Sequence, residues 1–180
     1  MPDQRRESES ARYLVPRGPG RPDAWAEEAA EGKRRGGQRL LKAGLIAPPP
    51  TVARSLGLAD GEQVVARSRL VLLDDVPVEI ATSYYPARIA AGTALAEPRK
   101  IPGGAVTYLA ERGYVASGVE EAVGSRMPME DERRLLALGE REPVLILSRL
   151  VLAADDAPVE FCEMVMNAKD RTVRYRMRIG

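Results

Sequence analysis

The pentapeptide Ser68-Arg-Leu-Val-Leu72 returns in this chain as Ser148-Arg-Leu-Val-Leu152, 80 residues later. Beyond the next turn the shift becomes 81, because Pro77-Val78-Glu79 matches Pro158-Val159-Glu160. The extra residue falls in a turn, where a change of length is best tolerated. A unit of this length exceeds the roughly 20–50 residues of solenoid repeats. This sequence repeat therefore predicts two copies of one supersecondary unit inside a single domain.

Each copy is predicted to be a short helix followed by a β-hairpin. The helices begin at prolines and end near Gly57 and Gly139. An acidic turn joins the two strands of each hairpin. The hairpin strands are expected over residues 64–73, 78–85, 144–153 and 159–166. A last strand is expected in "TVRYRMRI", where Val173, Tyr175, Met177 and Ile179 alternate with Arg174, Arg176 and Arg178.

These elements predict an α+β fold, an antiparallel sheet of five or six strands with packed helices. A helical turn near residues 88–91 and a helix over 104–112 are expected between the two copies. Residues 1–43 are predicted to be a polar tail and linker with one short helix, the first ten residues being disordered. The folded domain is expected over residues 44–180.

The composition excludes several kinds of site. The chain has no histidine and a single cysteine, Cys162, which removes histidine-based nucleophile systems, histidine metal ligands and internal disulfides. We expect no cofactor, no metal and no catalytic residue. The net charge of +1 provides no overall field for nucleic acid. No segment approaches the roughly 20 apolar residues of a membrane span, and no signal peptide is apparent, so a cytoplasmic location is expected.

The stretch "PPPTVARSLGLADGEQVVARSRLVLLDDVPVEIATSYYP" (residues 48–86) resembles the start of a UTRA domain, the effector-binding module of GntR-type transcription regulators of the HutC branch. "GGAVTYLAERGY", "GSRMPMEDERRLLALGEREPVLILSRLVLAADDAPVE" and "RTVRYRM" continue the pattern in order. The resemblance implies a fold similar to chorismate lyase with an internal pseudo-duplication, and a homodimer. Such regulators carry a winged helix-turn-helix before the effector domain, and residues 1–43 are too few for it. The chain is then either a piece of a longer regulator or a relative without that domain, and DNA would be bound only through a winged helix outside it.

Two arginines are the leading ligand candidates. Alternation places Arg67 and Arg69 on one face of their strand, about 7 Å apart, which suits an anion. The second copy has Leu147 where the first has Arg67. The resemblance points to the same positions, since related domains bind phosphorylated sugars or small carboxylic acids. The alternative is that both arginines pair with acidic residues of a neighbouring strand.

Arg126 and Glu79 are two further candidates, each with an alternative role. Arg126 precedes the helix expected near Pro128, where backbone N–H groups and an arginine together suit an anion. The alternative is a loop arginine facing solvent. Glu79 is expected either to accept hydrogen bonds from ligand hydroxyls or, as the favoured role, to neutralise Arg67 or Arg69 across the hairpin.

The remaining candidates are polar side chains on predicted strands. Thr82 and Tyr84 share one face of the return strand and Ser83 lies on the other, so only one set can line a given pocket. Glu163 is polar within the apolar stretch "FCEMVM", and Tyr175 is the one hydroxyl on the apolar face of the last strand. A core position is the commoner alternative for Tyr175.

Three hypotheses of function follow from these residues. The leading one is a non-catalytic sensor, in which a small anionic effector shifts the conformation of a dimer and so controls DNA binding. The second is an enzyme similar to chorismate lyase, whose chemistry arginines and a glutamate could serve. The third is a dimerisation module whose pocket has lost its ligand.

Overall fold

The chain folds into eight strands and five α-helices within residues 6–8, 10–18 and 21–175, which are those that the computed structural model describes. In chain order these elements are β1 (Arg6–Ser8), α1 (Ala24–Glu31), β2 (Gly36–Ile46), α2 (Pro50–Ser55), β3 (Val64–Leu73), β4 (Val76–Pro86), α3 (Ala87–Ala90), α4 (Gly104–Ala110), β5 (Gly118–Arg126), α5 (Glu130–Leu135), β6 (Val144–Leu152), β7 (Pro158–Asn167) and β8 (Arg171–Val173). Short 3₁₀ helices span Ser10–Tyr13, Ala154–Asp156 and Ala168–Asp170. Among these residues no helix combines the length and the hydropathy needed to cross a bilayer.

Six of the strands form one antiparallel sheet in the order β2-β3-β4-β7-β6-β5. The two repeated hairpins, β3–β4 and β6–β7, lie side by side in this sheet, as the sequence repeat predicted. At the centre of the sheet Thr82 lies opposite Glu163. The shift of 81 makes Glu163 the residue of the second copy that corresponds to Thr82. The two halves are therefore related by an approximate two-fold axis through the middle of the sheet.

The hairpin turns explain the change of shift from 80 to 81. Asp74 and Asp75 form a two-residue turn with φ of 50° and 66°, and Asp155 and Asp156 have φ of 58° and 56° in the longer second turn. Positive φ at both central residues matches the right-handed twist of the flanking strands. Aspartate tolerates this conformation better than most residues.

Each half packs a helix onto the hairpin of the other half, on one face of the sheet. Val52 and Leu56, in and just after α2, share a buried cluster with Phe161 of β7. Leu136 and Leu138, which follow α5, pack with Ile80 of β4. The halves are thus interlocked, and burial of these side chains supplies much of the driving force for folding.

The opposite face of the sheet is covered by α1, α3, α4 and the N-terminal segment. Asp23 caps α1 by accepting a hydrogen bond from the amide of Ala26 at 2.9 Å. Trp25 of α1 packs on the sheet with Met166 and donates from Nε1 to the carbonyl of Leu72 at 2.8 Å. Between this cover and the sheet lies the cavity described below.

The two edge strands, β2 and β5, are absent from the sequence-based prediction. Their sequences, "GGQRLLKAGLI" and "GVEEAVGSR", are rich in glycine and charged residues and so have low intrinsic β-propensity. They form because β3 and β6 offer unpaired backbone groups along their lengths. One consequence is that the sheet begins at Gly36, inside the range expected to be a tail and linker.

The two ends of the chain also differ from expectation. The last strand is only Arg171–Val173, it pairs in parallel with Arg6–Ser8, and this pair lies outside the six-stranded sheet. The expected continuation through Arg174 and Tyr175 is not a strand, and the rest of the predicted alternation lies outside the described residues. Residues 6–8 pair with β8, and Ser10 begins a 3₁₀ helix that contacts α1, although the first ten residues were predicted to be disordered.

Replacing Gly36 with alanine should lower the free energy of unfolding by about 1–3 kcal/mol, the range for overpacking a filled site. A Cβ at this position would lie 2.8 Å from the carbonyl oxygen of Trp25 and 3.0 Å from the Cα of Ala26. Both are backbone atoms of α1, which can move only if the helix moves. Urea denaturation followed by circular dichroism measures the change.

Gly37→Ala is the matched control, because its Cβ would meet only the Leu72 side chain at 3.7 Å. We expect a change within about 0.5 kcal/mol for it. Equal losses in the two variants would show that α1 does not pack tightly on the start of β2.

Candidate functional site

A cavity of about 500 Å³ lies between the sheet and the N-terminal cover, which consists of residues 10–18 and 21–31. Its floor is made of side chains from β3, β4, β6 and β7. Its walls come from residues 13–17 and 21–26, the start of β2 and residues 100–107. The volume falls in the range of small-molecule sites.

The floor of the cavity is mixed in character. Its apolar part consists of Val71, Ala81, Leu147, Cys162, Met164 and Met166. Charged side chains surround this part, and the cations outnumber the anions seven to three. The cations are Arg17, Arg21, Arg67, Arg69, Lys100, Arg149 and Arg171, and the anions are Asp23, Glu79 and Glu160. The cavity therefore concentrates positive charge in a chain whose net charge is only +1.

Two arginines in this cavity have unsatisfied hydrogen-bonding capacity. Across the described residues, the buried side-chain nitrogen and oxygen atoms without a partner are Nε of Arg69 and Nε of Arg171, and both residues line the cavity. Arg69 donates from Nη2 to Ser83 at 3.1 Å, and no carboxylate of the described part lies within 4.0 Å of its guanidinium. A buried donor without an acceptor costs free energy that a bound anion would recover.

Arg67 is already occupied by the protein. Its guanidinium donates to the carbonyls of Leu95 and Glu97 at 2.7 Å and of Arg99 at 2.8 Å. Burial lowers the pKa of Arg67, and the adjacent Arg69 lowers it further. Arg67 thus anchors the loop over residues 94–99 above the sheet, while Arg69 beside it remains available.

Two other arginines of the cavity, Arg149 and Arg171, are held by partners from distant parts of the chain. Arg149 forms a buried ion pair with Glu121 at 2.6 Å and donates to Ser10 at 2.7 Å. Burial raises the pKa of Glu121, but the hydrogen bonds from Ser10 and Arg149 together outweigh it, so its pKa lies below the ordinary value. Glu79 accepts from Arg171 at 3.3 Å. Glu79 therefore neutralises Arg171, and neither Arg67 nor Arg69.

Tyr85 and Cys162 are two weak acids of the cavity whose pKa values are raised. The Tyr85 hydroxyl donates to Glu160 at 3.1 Å, and burial together with that carboxylate raises its pKa well above the ordinary value. Burial and the same carboxylate raise the pKa of the Cys162 thiol to about 11. Both groups stay protonated at neutral pH, so the thiol is a poor nucleophile.

The structure brings together Arg67, Arg69 and Glu79 at the cavity and buries Ser83 beneath Arg69. Other predicted site residues lie elsewhere. Thr82, Tyr84 and Glu163 lie on the opposite face of the sheet, because neighbours on β4 and β7 alternate. There Thr82 donates to Ser68 at 3.1 Å, and Tyr84 packs against the cluster around α2.

Arg126 and Tyr175 do not line the cavity either. Arg126 ends β5 on the helix-packed face, where it forms a two-point ion pair with Glu132 of α5 at 2.6 and 2.7 Å. The predicted role of Arg126 in binding an anion therefore finds no support, because this arginine lies outside the cavity and already pairs with a carboxylate. Tyr175 is 50% exposed, and burial of its hydroxyl with the hydrogen bond to Glu121 raises its pKa to about 12.

The prediction from sequence missed Arg149, Arg171 and the wall formed by residues 13–17 and 21–26 as parts of this cavity. The sequence repeat could have indicated Arg149, because the shift of 80 makes Arg149 the equivalent of Arg69. No local pattern indicates that Arg171 lies beside Glu79, since 92 residues separate them. In the part of the chain that the structure covers, no cluster of acidic or cysteine side chains is arranged to hold a metal.

Two comparisons relate the sequence to known proteins. The UTRA domain family model matches residues 32–171. An HTH-type transcriptional regulator from Streptomyces coelicolor is 32% identical over 140 residues, which are 76% of this chain and 52% of that protein. The chain thus spans about half the length of that relative.

Solved structures share the fold. The effector domain of PhnF from Mycobacterium smegmatis superposes with a TM-score of 0.75 at 22% identity, covering 87% of this chain and 95% of that one. The C-terminal domain of the histidine utilization repressor from Pseudomonas syringae pv. tomato superposes with a TM-score of 0.67 at 20% identity, covering 81% and 100%. These similarities confirm the predicted α+β sheet with packed helices.

Proposed function

Since this chain belongs to the UTRA domain family, we propose that its cavity binds the small anionic effector of a bacterial transcription regulator. The observation that carries the proposal is the pair of buried, unpartnered Nε donors of Arg69 and Arg171 in one cavity. Their charge-assisted hydrogen bonds suit a carboxylate or a phosphate. The surplus of cations around the cavity supports the same sign of ligand.

The floor of the cavity favours one class of anion. A phosphorylated sugar needs hydrogen-bond partners for its hydroxyls, but Tyr85 and Glu160 already pair with each other, and so do Arg171 and Glu79. The apolar part of the floor instead offers contact to hydrocarbon, whose burial contributes about 25 cal/mol per Å². We therefore propose a carboxylic acid with an apolar body, its carboxylate on Arg69.

The N-terminal cover offers a route from effector to DNA. Residues 13–17 and 21–26 form one wall of the cavity, and the amide of Arg17 donates to Thr107 at 3.0 Å on the neighbouring wall. In our proposal a winged helix-turn-helix in the same regulator precedes this segment. An effector that contacts the wall would favour one arrangement of the segment and so of a dimer's DNA-binding domains.

A sensor fits the site better than an enzyme similar to chorismate lyase. Tyr85 and Cys162 keep their protons at neutral pH because burial and Glu160 raise the pKa of both groups. Glu79 and Glu121, which could otherwise act as bases, are each held by an arginine. The arrangement provides binding groups for an anion, while the floor carboxylates Glu79 and Glu160 are already engaged by Arg171 and Tyr85.

Replacing Arg69 with alanine should weaken effector binding about 10- to 150-fold, because one charged hydrogen-bonding partner contributes about 1.5–3 kcal/mol. Calorimetry with octanoate, phenylacetate, glucose 6-phosphate and inorganic phosphate measures this. We expect a carboxylic acid to bind the wild type and to raise its melting temperature. Folding should be little affected, since Arg69 has no carboxylate partner to lose.

Arg54→Ala is the matched control, because Arg54 is an exposed arginine of α2 on the other side of the sheet. It should bind the same ligand as the wild type does. Arg69-dependent binding of glucose 6-phosphate alone would replace the carboxylic acid class and keep the sensor. Binding that is equal in wild type, Arg69→Ala and Arg54→Ala would show that the effector site lies elsewhere.

A further inference from the structure

The two halves of the sheet contain equivalent arginines that differ in one contact. Arg69 on β3 and Arg149 on β6 correspond through the shift of 80, and both line the cavity. Arg69 donates from Nη2 to the hydroxyl of Ser83 at 3.1 Å, and Arg149 donates from the same atom to a serine hydroxyl, that of Ser10, at 2.7 Å. Nε of Arg149 also donates to the Glu121 carboxylate at 2.6 Å. Nε of Arg69 is buried and has no acceptor among the residues that the structure describes.

The difference comes from the two edge strands. Glu121 of β5 lies directly opposite Arg149 in the ladder. Leu40 of β2 lies directly opposite Arg69, and it lines the cavity. Residues opposite each other in antiparallel strands point to the same face, with Cβ atoms about 4.5–5.5 Å apart, so each of these side chains lies beside its arginine. One edge strand thus supplies a carboxylate where the other supplies hydrocarbon.

We propose that this edge position decides which of the two arginines takes a ligand, and that Glu121 occupies on Arg149 the place that the effector carboxylate takes on Arg69. The inference rests on the proposed function, because it specifies how the same cavity holds its anion. It assigns Nε of Arg69 as the donor to the ligand, while Nη2 stays on Ser83. It also assigns Arg149 as a second anion site, which the chain fills with its own carboxylate.

Burial and attachment to the chain explain why one site is filled and the other is open. The side chains of Arg149 and Glu121 are only 9% and 7% exposed, and a buried charge needs its counter-charge. A free anion would have to displace a carboxylate that the fold holds in place, and an attached group competes at a high effective concentration. Leu40 offers Arg69 no acceptor, and its side chain adds apolar contact for the hydrocarbon part of a ligand.

Leu40→Glu tests the open site by giving Arg69 a carboxylate of its own. Octanoate binding should weaken about 10- to 150-fold, as in Arg69→Ala, because the new carboxylate takes Nε. Leu40→Met keeps an apolar side chain of similar size and should bind octanoate as the wild type does. Calorimetry measures the affinities. Octanoate affinity that is unchanged in Leu40→Glu, or lost equally in Leu40→Met, would overturn the proposal.

A double-mutant cycle between positions 40 and 69 gives a readout that needs no ligand. A carboxylate at position 40 should be tolerated only while Arg69 balances its charge. Leu40→Glu should therefore lower the melting temperature more in an Arg69→Met background than in the wild type. Equal shifts in the two backgrounds would show that the positions do not pair, and the proposal would fail. If no carboxylate binds the wild type, the proposed function falls, and this cycle still decides whether position 40 controls Arg69.

Glu121→Ala tests the filled site by removing the carboxylate from Arg149. The melting temperature should fall, and sodium acetate should raise it again by more than it raises that of the wild type, because acetate can accept from the vacated Nε. Sodium chloride at the same concentration controls for ionic strength. Glu121→Gln keeps an acceptor beside Arg149, so acetate should raise its melting temperature no more than that of the wild type. Acetate gains that are equal in Glu121→Ala, Glu121→Gln and the wild type would refute the second anion site.

Discussion

Replacing Arg149 with methionine should lower the free energy of unfolding by about 3–5 kcal/mol, the cost of leaving one charge of a buried pair without its partner. Arg149 and Glu121 are among the least exposed ion-paired side chains described, at 9% and 7%. Methionine preserves much of the volume, so the loss reports the charge. Chemical denaturation at neutral pH measures it. The Glu121→Leu, Arg149→Met double variant should recover most of the stability, because neither charge then remains.

The pH dependence of this loss identifies its cause. Hydrogen bonds hold the pKa of Glu121 below its ordinary value of 4.5, so the stability that they contribute is present above that pH and is lost as pH falls through the folded value. The gap between wild type and Arg149→Met should therefore narrow in acid. The control is Arg134→Met, which removes an exposed pair with Asp131 and should cost less than about 1 kcal/mol. Equal losses at Arg149 and Arg134 would contradict a buried pair.

Replacing Trp25 with alanine should cost about 3–5 kcal/mol, as for other large aromatic residues removed from a core. Trp25 is 4% exposed, packs in the cluster that includes Val71 and Met166, and donates to the carbonyl of Leu72. It attaches α1 to the sheet and forms part of the cavity wall. Its loss should therefore loosen the N-terminal cover as well as destabilise the domain.

Trp25 is the only tryptophan of the chain, so the unfolding of its variants must be followed by circular dichroism. Trp25→Phe is the conservative control, and it should cost less, since an aromatic ring still fills the site and only the indole N–H is lost. In the wild type, tryptophan fluorescence and circular dichroism should give one transition if α1 unfolds with the sheet. A loss below about 1 kcal/mol in Trp25→Ala would mean that α1 adds little to the fold.

The ion pairs of the cavity also bear on how an effector would bind. Arg149 and Arg171 have carboxylate partners, and Arg67 has backbone carbonyls. Arg69 has only the neutral hydroxyl of Ser83. An anion entering the cavity would therefore meet in Arg69 an arginine that neither a carboxylate nor a backbone carbonyl engages. A preorganised donor of this kind avoids the free energy of breaking an existing pair.

The amino-acid sequence by itself determined the centre of this fold. β3, β4, β6 and β7 follow from β-branched stretches bounded by acidic turns, and the repeat places them in one sheet. Alternation alone put Arg67 and Arg69 on a common face, which became the face of the cavity. These features are local, because a side chain's face on a strand depends only on its position along that strand.

Only the tertiary structure decided which strands form the edges of the sheet and which arginine of the cavity remains available to a ligand. β2 and β5 are strands because β3 and β6 lie beside them, and membership of β5 turns Arg126 onto the helix-packed face. Arg67 and Arg69 are near-identical in sequence context, yet the loop over residues 94–99 takes the first and leaves the second free. Periodicity sets the direction in which a side chain points. What lies opposite that side chain depends on packing between segments far apart in the chain, which no local pattern encodes.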